Sequence, residues 1–181
     1  GIDVSLRVTN KEQVLASIAD NLDDLYFLGQ PPEDIDVVAT PIMDNPIIVI
    51  AAPDHPLAHK KNIPLERIAH ETWLMREKGS GTRNAIERIF TGHGLNIHPR
   101  LELGSNEAIK QAILAGLGIS ALSRHALTLN QPGQFAVLDV VGFPILRHWY
   151  AVYPAGRQLS VVARAFLDYL LGRTDTAPSA G

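Results

Sequence analysis

The chain has 181 residues, 46% of them apolar, 19% charged and 6% aromatic, with a formal net charge of -3 and no cysteine. That balance buries a sizeable core, so disorder, collagen-like repetition and coiled coil are excluded. Disulfides, thiolate metal sites and thiol nucleophiles go with the cysteines, scattered Lys and Arg offer no face for a polyanion, and no aliphatic run approaches the ~20 residues of a membrane span.

Ile2, Val4, Leu6 and Val8 alternate with Asp3, Ser5 and Arg7, the period-two signature of a strand. Thr9 with Glu12, or Asn10 with Gln13, gives capping-box spacing and opens a helix from about Lys11 to Asp20. Leu25 to Leu28 reads as a buried strand closed by Gly29-Gln30-Pro31-Pro32. Further strands follow near Val37 to Pro41 and over Ile47 to Ala52, a β-α-β-β-β run whose helical crossover implies parallel pairing.

The polar loop Asp54 to Lys61 marks a lobe boundary, with a short helix near Leu65 to Ala69 beyond it. Strand Trp73 to Arg76 meets Gly79-Ser80-Gly81-Thr82, and helix Arg83 to Thr91 ends at Gly92. Strand Arg100 to Leu103 meets Gly104-Ser105-Asn106, and its helix runs to Ala115 and stops at Gly116. Strands at Ile119 to Leu122 and Trp149 to Tyr153 precede an amphipathic last helix, Val161 to Leu171. The stripe Val161, Val162, Ala165, Phe166, Tyr169 and Leu170 reads as core, and 172–181 as a disordered tail.

Thr82-Arg83 and Ser105-Asn106 each start a helix straight after a strand. Such turns aim backbone N–H groups and a positive dipole end at the carboxyl edge of a sheet, where open α/β sheets bind ligands. The hydroxyls of Ser80, Thr82 and Ser105, the Asn106 amide and the Arg83 guanidinium suit a small anion. Ordinary helix capping accounts for any one of them; two such ends, one preceded by Gly-Ser-Gly, put a ligand on equal terms. No Gly-Lys-Ser/Thr follows, and Asn84 stands where a dinucleotide fingerprint needs its third glycine, so no nucleotide cofactor is read.

Enzyme signatures are missing. There is no Gly-x-Ser-x-Gly elbow, and Asp23-Asp24 and Glu33-Asp34-Asp36 read as solvated turn acids. His55 and His59 flank Pro56 in a loop with no third ligand nearby, which argues against a metal.

Laid out this way, the chain resembles the effector-binding domain of a LysR-type transcriptional regulator. The stretches that carry the likeness are 21–32, 52–58 and 115–119. Arg76-Glu77-Lys78-Gly79-Ser80-Gly81-Thr82-Arg83 and 102–112 are more specifically similar to the CbbR group, regulators of carbon-fixation operons. The resemblance implies an α/β fold like type 2 periplasmic binding proteins: two lobes, mixed sheets, two crossover strands and a ligand cleft between the lobes. It divides the chain into 1–53 for lobe one, 54–148 for lobe two, and 149–171 returning to lobe one.

By the same likeness lobe one supplies Thr9, Asn10 and Gln30, and lobe two Ser80, Thr82, Arg83, Ser105 and Asn106. The implied ligand is a small anionic metabolite, a phosphosugar, a phosphoenolpyruvate-like acid or NADPH. The implied partners are further copies of the chain, as dimer or tetramer, and DNA through an N-terminal winged helix-turn-helix that these residues do not include; no membrane is implied. The start at Gly1 and the lack of the family's preceding strand and helix read as a fragment of a longer, cytoplasmic protein. A solute-binding protein of the same fold and a small transferase-type enzyme are the alternatives.

Overall fold

The structure is a computed structural model that describes residues 3–172. The expected tail therefore lies outside the described residues, Gly172 apart. The chain divides into two compact units, Gly1–Asp44 with His148–Gly181, and Asn45–Arg147.

In unit one, α1 (Lys11–Ala19) starts at Asn10, whose side chain accepts the Gln13 N–H at 3.0 Å and so takes the cap in preference to Thr9. Strands β1 (Tyr26–Leu28) and β2 (Val37–Asp44) lie on either side of β8 (His148–Pro154), both antiparallel to it. Alternation along β8 builds two small cores. Val152 joins Ile18, Tyr26 and Leu28 on the α1 face, while Ala151 and Tyr153 meet Leu167 of α5 (Val161–Leu170) on the other.

Three expectations for this unit are corrected. Residues 3–8 form no strand, and Val4, Leu6 and Val8 are each at least 80% exposed. Alternation gives a segment one apolar face, but a strand exists only by hydrogen bonding to a neighbour, and no described strand pairs with these residues. Parallel pairing is likewise absent from this sheet, because both its other strands pair with the antiparallel β8. The α5 stripe is also not core: Val161 is 87% and Tyr169 68% exposed, and the buried face is Ala163 and Leu167, one turn apart. Neither Ala163 nor Leu167 belongs to the band chosen from sequence: at 100° per residue both lie beyond its edge, so the helix is rotated and turns a neighbouring face to the sheet.

Unit two is built on β3 (Ile47–Ala51), all five residues buried between antiparallel β6 (Ser120–Ser123) and β7 (Ala136–Leu138). These bonds hold β3 wholly in unit two, so the chain changes unit at Asp44/Asn45, ahead of the Asp54 loop. A second, parallel pair is β4 (Trp73–Arg76) with β5 (Pro99–Leu103), joined to β6 through the Trp73–Ile119 bridge.

The period of two sorts the core. Ile47, Val49, Ala51, Trp73 and Met75 pack with Ile86 and Phe90 of α3 (Gly81–Gly92). Ile48, Ile50 and Leu74 pack with Ile109 and Ile113 of α4 (Asn106–Leu114). Helices thus cover opposite faces of the same strands. Short α2 (Leu65–Ala69) and a 3-10 turn (Arg124–Leu127) complete the elements. Among the described residues no helix is long and apolar enough to cross a membrane.

Candidate functional site

Because β4 and β5 run parallel, the turns into α3 and α4 leave the same sheet edge. Ser80, Thr82, Arg83, Ser105 and Asn106 are therefore brought together, as the strand-to-helix pattern requires. Asn10 is occupied in capping α1, Thr9 is exposed, and Gln30 follows β1 partly buried; all three belong to unit one.

The two helix starts differ chemically. At α4 the Ser105 hydroxyl accepts the Ala108 N–H at 3.1 Å, Asn106 Oδ1 accepts from Arg76 Nη1 at 2.8 Å, and Glu107 puts a carboxylate in the first turn. Those groups already answer the open N–H groups and the dipole. At α3 the N-cap is Ser80, whose hydroxyl makes no capping bond, and the first turn carries no acid. Ser80 is only 4% exposed, and Gly79 at φ +87° supplies the turn that delivers it. Of the two helix starts, α3 is the one with neither a side-chain cap nor a first-turn acid.

Arg83 does not stand free at that helix start. It is 7% exposed, with Nε donating to Glu87 Oε1 at 2.7 Å, Nη1 to the Arg76 carbonyl at 3.0 Å, and Nη1 also paired with Glu102. Burial alone would lower its pKa, but the hydrogen bonds to Glu87 and Glu102 hold it above its ordinary value. Arg76 grips Glu77 through two bonds, 2.8 and 2.9 Å, while also reaching Asn106. Arg83 and Arg76 thus brace the two loops against each other. Sequence reasoning missed Arg76, Glu87 and Glu102 as parts of this network; the i,i+4 spacing of Arg83 and Glu87 was the one signal available for it.

Arg83 holds the Glu102 carboxyl below its ordinary pKa, helped by the Lys78 N–H. A depressed folded value means the pair's stabilisation is complete above the unfolded pKa of about 4.3 and is lost as pH falls through the lower folded one. Melting temperature is therefore expected to fall less steeply between about pH 5 and pH 3 in Glu102→Gln than in the unaltered chain. Equal slopes in the two proteins would remove this pair from the acid response.

Charge divides unevenly between the units. Unit two carries 11 Lys and Arg against 8 Asp and Glu, whereas unit one carries 5 against 11, so the net charges are +3 and -6. The α3 start sits in the cationic unit, which favours an anion there.

Residues 1–175 match the LysR substrate binding domain family. The chain is 49% identical over 176 residues to the HTH-type transcriptional activator CmpR of Synechocystis sp., covering 97% of this chain and 58% of that protein. It is 47% identical over 171 residues to a RuBisCO operon transcriptional regulator of Acidithiobacillus ferrooxidans, covering 94% and 55%. The chain thus spans a little over half the length of these relatives. Among solved structures, the regulatory domain of Synechocystis CcmR in complex with 2-PG superposes with a TM-score of 0.91 at 50% identity, covering 98% of this chain and 86% of that one. A family match across almost the whole chain, with relatives close to half identical over the same span, means that the chain belongs to the LysR substrate binding domain family.

Proposed function

We propose that this chain is the effector-sensing domain of a LysR-type transcriptional regulator of carbon-fixation genes, binding a small phosphorylated anion at the N-terminus of α3. One observation carries the reading: α3 begins without a capping bond or first-turn acid, at buried Ser80, in the unit with surplus positive charge. The backbone N–H groups of that turn, the Ser80 and Thr82 hydroxyls and the dipole meet the phosphate. The CcmR regulatory domain, solved with 2-phosphoglycolate, supports this class of ligand. The regulator names of the matched relatives favour sensing over solute transport or group transfer.

The ligand acts by differential affinity, favouring one conformation of the chain over another and so altering what it presents to partner copies. DNA contact falls to a winged helix-turn-helix elsewhere in the regulator, which works in the cytoplasm. Thr9, Asn10 and Gln30 enter the proposal as contributions from unit one, each to be tested by its alanine variant.

Thermal melts and calorimetry with 2-phosphoglycolate test the reading. At one hundred times the dissociation constant a ligand adds about 2.7 kcal/mol, which for a chain of this size is a rise of roughly 5–10 °C. Shikimate at the same concentration, with a single carboxylate and no phosphate, is expected to give far less. No rise with 2-phosphoglycolate, a phosphosugar, phosphoenolpyruvate or NADPH would reject the proposal.

A further inference from the structure

The arginines and lysines of unit two are not all answered by acids. Arg67 pairs with Glu71, Arg76 with Glu77, Arg83 with Glu87 and Glu102, and Lys61 with Asp139. Even buried Lys110 is satisfied, by Glu107, the Ala126 carbonyl and Asn130 Oδ1. Among the described residues six cations of unit two stand in no ion pair: Lys60, Lys78, Arg88, Arg100 and Arg124, all exposed, and Arg147, which is partly buried and has Arg88 as a charged neighbour. The one hydrogen bond of the Arg147 side chain among those residues runs from Nη1 to the Gly81 carbonyl at 3.0 Å.

Gly81 is the first residue of α3, so the Arg147 guanidinium lies against the flank of that helix start. Arg88 is seven residues further on, two turns along the same helix face. Arg147 is partly buried, and burial first and the Arg88 charge second lower its pKa. A guanidinium removed from water toward a like charge, with no counterion from the protein, costs free energy that an anion would recover. Its main chain is firmly held: the Asn45 N–H donates to the Arg147 carbonyl at 2.7 Å, and Asn45 is itself 4% exposed.

We propose that Arg147, seconded by Arg88, is an anion subsite beside the α3 N-terminus that takes a second acidic group of the effector. The proposal rests on the reading of α3 given above and narrows the ligand class to molecules with two acidic groups about one helical turn, ~5.4 Å, apart or less. One of the five guanidinium N–H donors goes to Gly81, and the rest offer a carboxylate or second phosphate a forked partner. A phosphate ester without a second acid would bind the helix end alone.

The test is calorimetry on the full chain with 2-phosphoglycolate, ethyl phosphate and inorganic phosphate, comparing unaltered protein, Arg147→Gln and Arg88→Gln. Unaltered protein is expected to prefer 2-phosphoglycolate over ethyl phosphate by tenfold or more. In Arg147→Gln that preference should fall below about threefold, with ethyl phosphate binding little changed; Arg88→Gln, at an exposed position that leaves folding intact, should lose part of it. A preference that survives in both variants overturns the subsite and leaves the α3 reading standing. So does an equal loss for both ligands, which would mark Arg147 as a general source of positive potential. Tighter binding of inorganic phosphate than of 2-phosphoglycolate would also overturn it, assigning the arginines to a separate ion. If unaltered protein binds none of the three, the α3 reading itself fails.

Discussion

Thr82→Asp is expected to remove anion binding, by 100-fold or more, without lowering the melting temperature of the free chain. Thr82 is the second residue of α3, partly buried, in a first turn that has no acid. A carboxylate there interacts favourably with the helix dipole and N–H groups, by about 0.3–1 kcal/mol. The folded chain therefore gains slightly or stays level. The same carboxylate occupies the donors a phosphate needs and repels it. Charge-assisted hydrogen bonds are each worth about 1.5–3 kcal/mol, so losing one or two and adding repulsion removes at least two decades of affinity. Stability and binding move in opposite directions, which separates this outcome from simple misfolding. Calorimetry and melts on one preparation read both, and retained affinity in a well-folded Thr82→Asp chain would move the anion site away from α3.

How much of this was legible in the sequence depended on whether a signal was local. The strand-turn-helix units around Ser80 and Ser105 announce themselves through glycines, caps and periodicity, and the structure keeps them within a residue or two: α3 begins at Gly81 where Arg83 was read, and β5 at Pro99 where Arg100 was read. β3 was found because an all-apolar run between turn signals is a buried strand. The failures are non-local. Nothing within residues 3–8 says whether a neighbouring strand exists for them, and without one the alternating pattern is spent on solvent. Nor does the α5 sequence say which face its sheet will cover: the more apolar band stays outside and Ala163 and Leu167 turn inward. At the site the types of residue were legible but their partners were not. Arg83 looked like a free cation, and Glu102, 19 positions later, cannot be paired with it until β4 and β5 are known to be parallel neighbours. Arg147 and Gly81 are 66 residues apart, beyond the reach of any spacing rule.

Gly118→Ala is expected to be strongly destabilising for a single added methyl group, and the reason lies in how β4 is joined to the rest of unit two. Gly118 has φ +153°, and a Cβ built there would lie 2.2 Å from the Thr72 carbonyl oxygen and 3.1 Å from its carbon. That oxygen also accepts the Ile119 N–H at 2.8 Å, and the Ile119 carbonyl accepts the Leu74 N–H at 2.8 Å. Both bonds flank Trp73, which is fully buried, packs edge-to-face on Phe90 and donates from Nε1 to the Ile68 carbonyl. The methyl group cannot be accommodated by a rotating side chain, because what it meets is backbone. Moving Thr72 away breaks the bridge that ties the β4–β5 pair, and with it the α3 start, to β6. Overpacking of about 1–3 kcal/mol, a lost hydrogen bond of about 1 kcal/mol and the unfavourable φ, about 1 kcal/mol, together approach a third or more of the 5–15 kcal/mol that holds a typical domain folded. The melting temperature should drop by roughly 10 °C. Gly116→Ala makes the control: its φ of +72° is also glycine-favouring, but nothing lies within 4 Å of its Cβ, so its loss should be about 1 kcal/mol. Comparable melting temperatures for the two variants would show that Thr72 yields to the methyl group and that the bridge does not govern the stability of unit two. A large gap between them, with 2-phosphoglycolate affinity preserved in the folded fraction of Gly118→Ala at low temperature, would place that glycine in the scaffold that holds α3 and outside the ligand's own contacts.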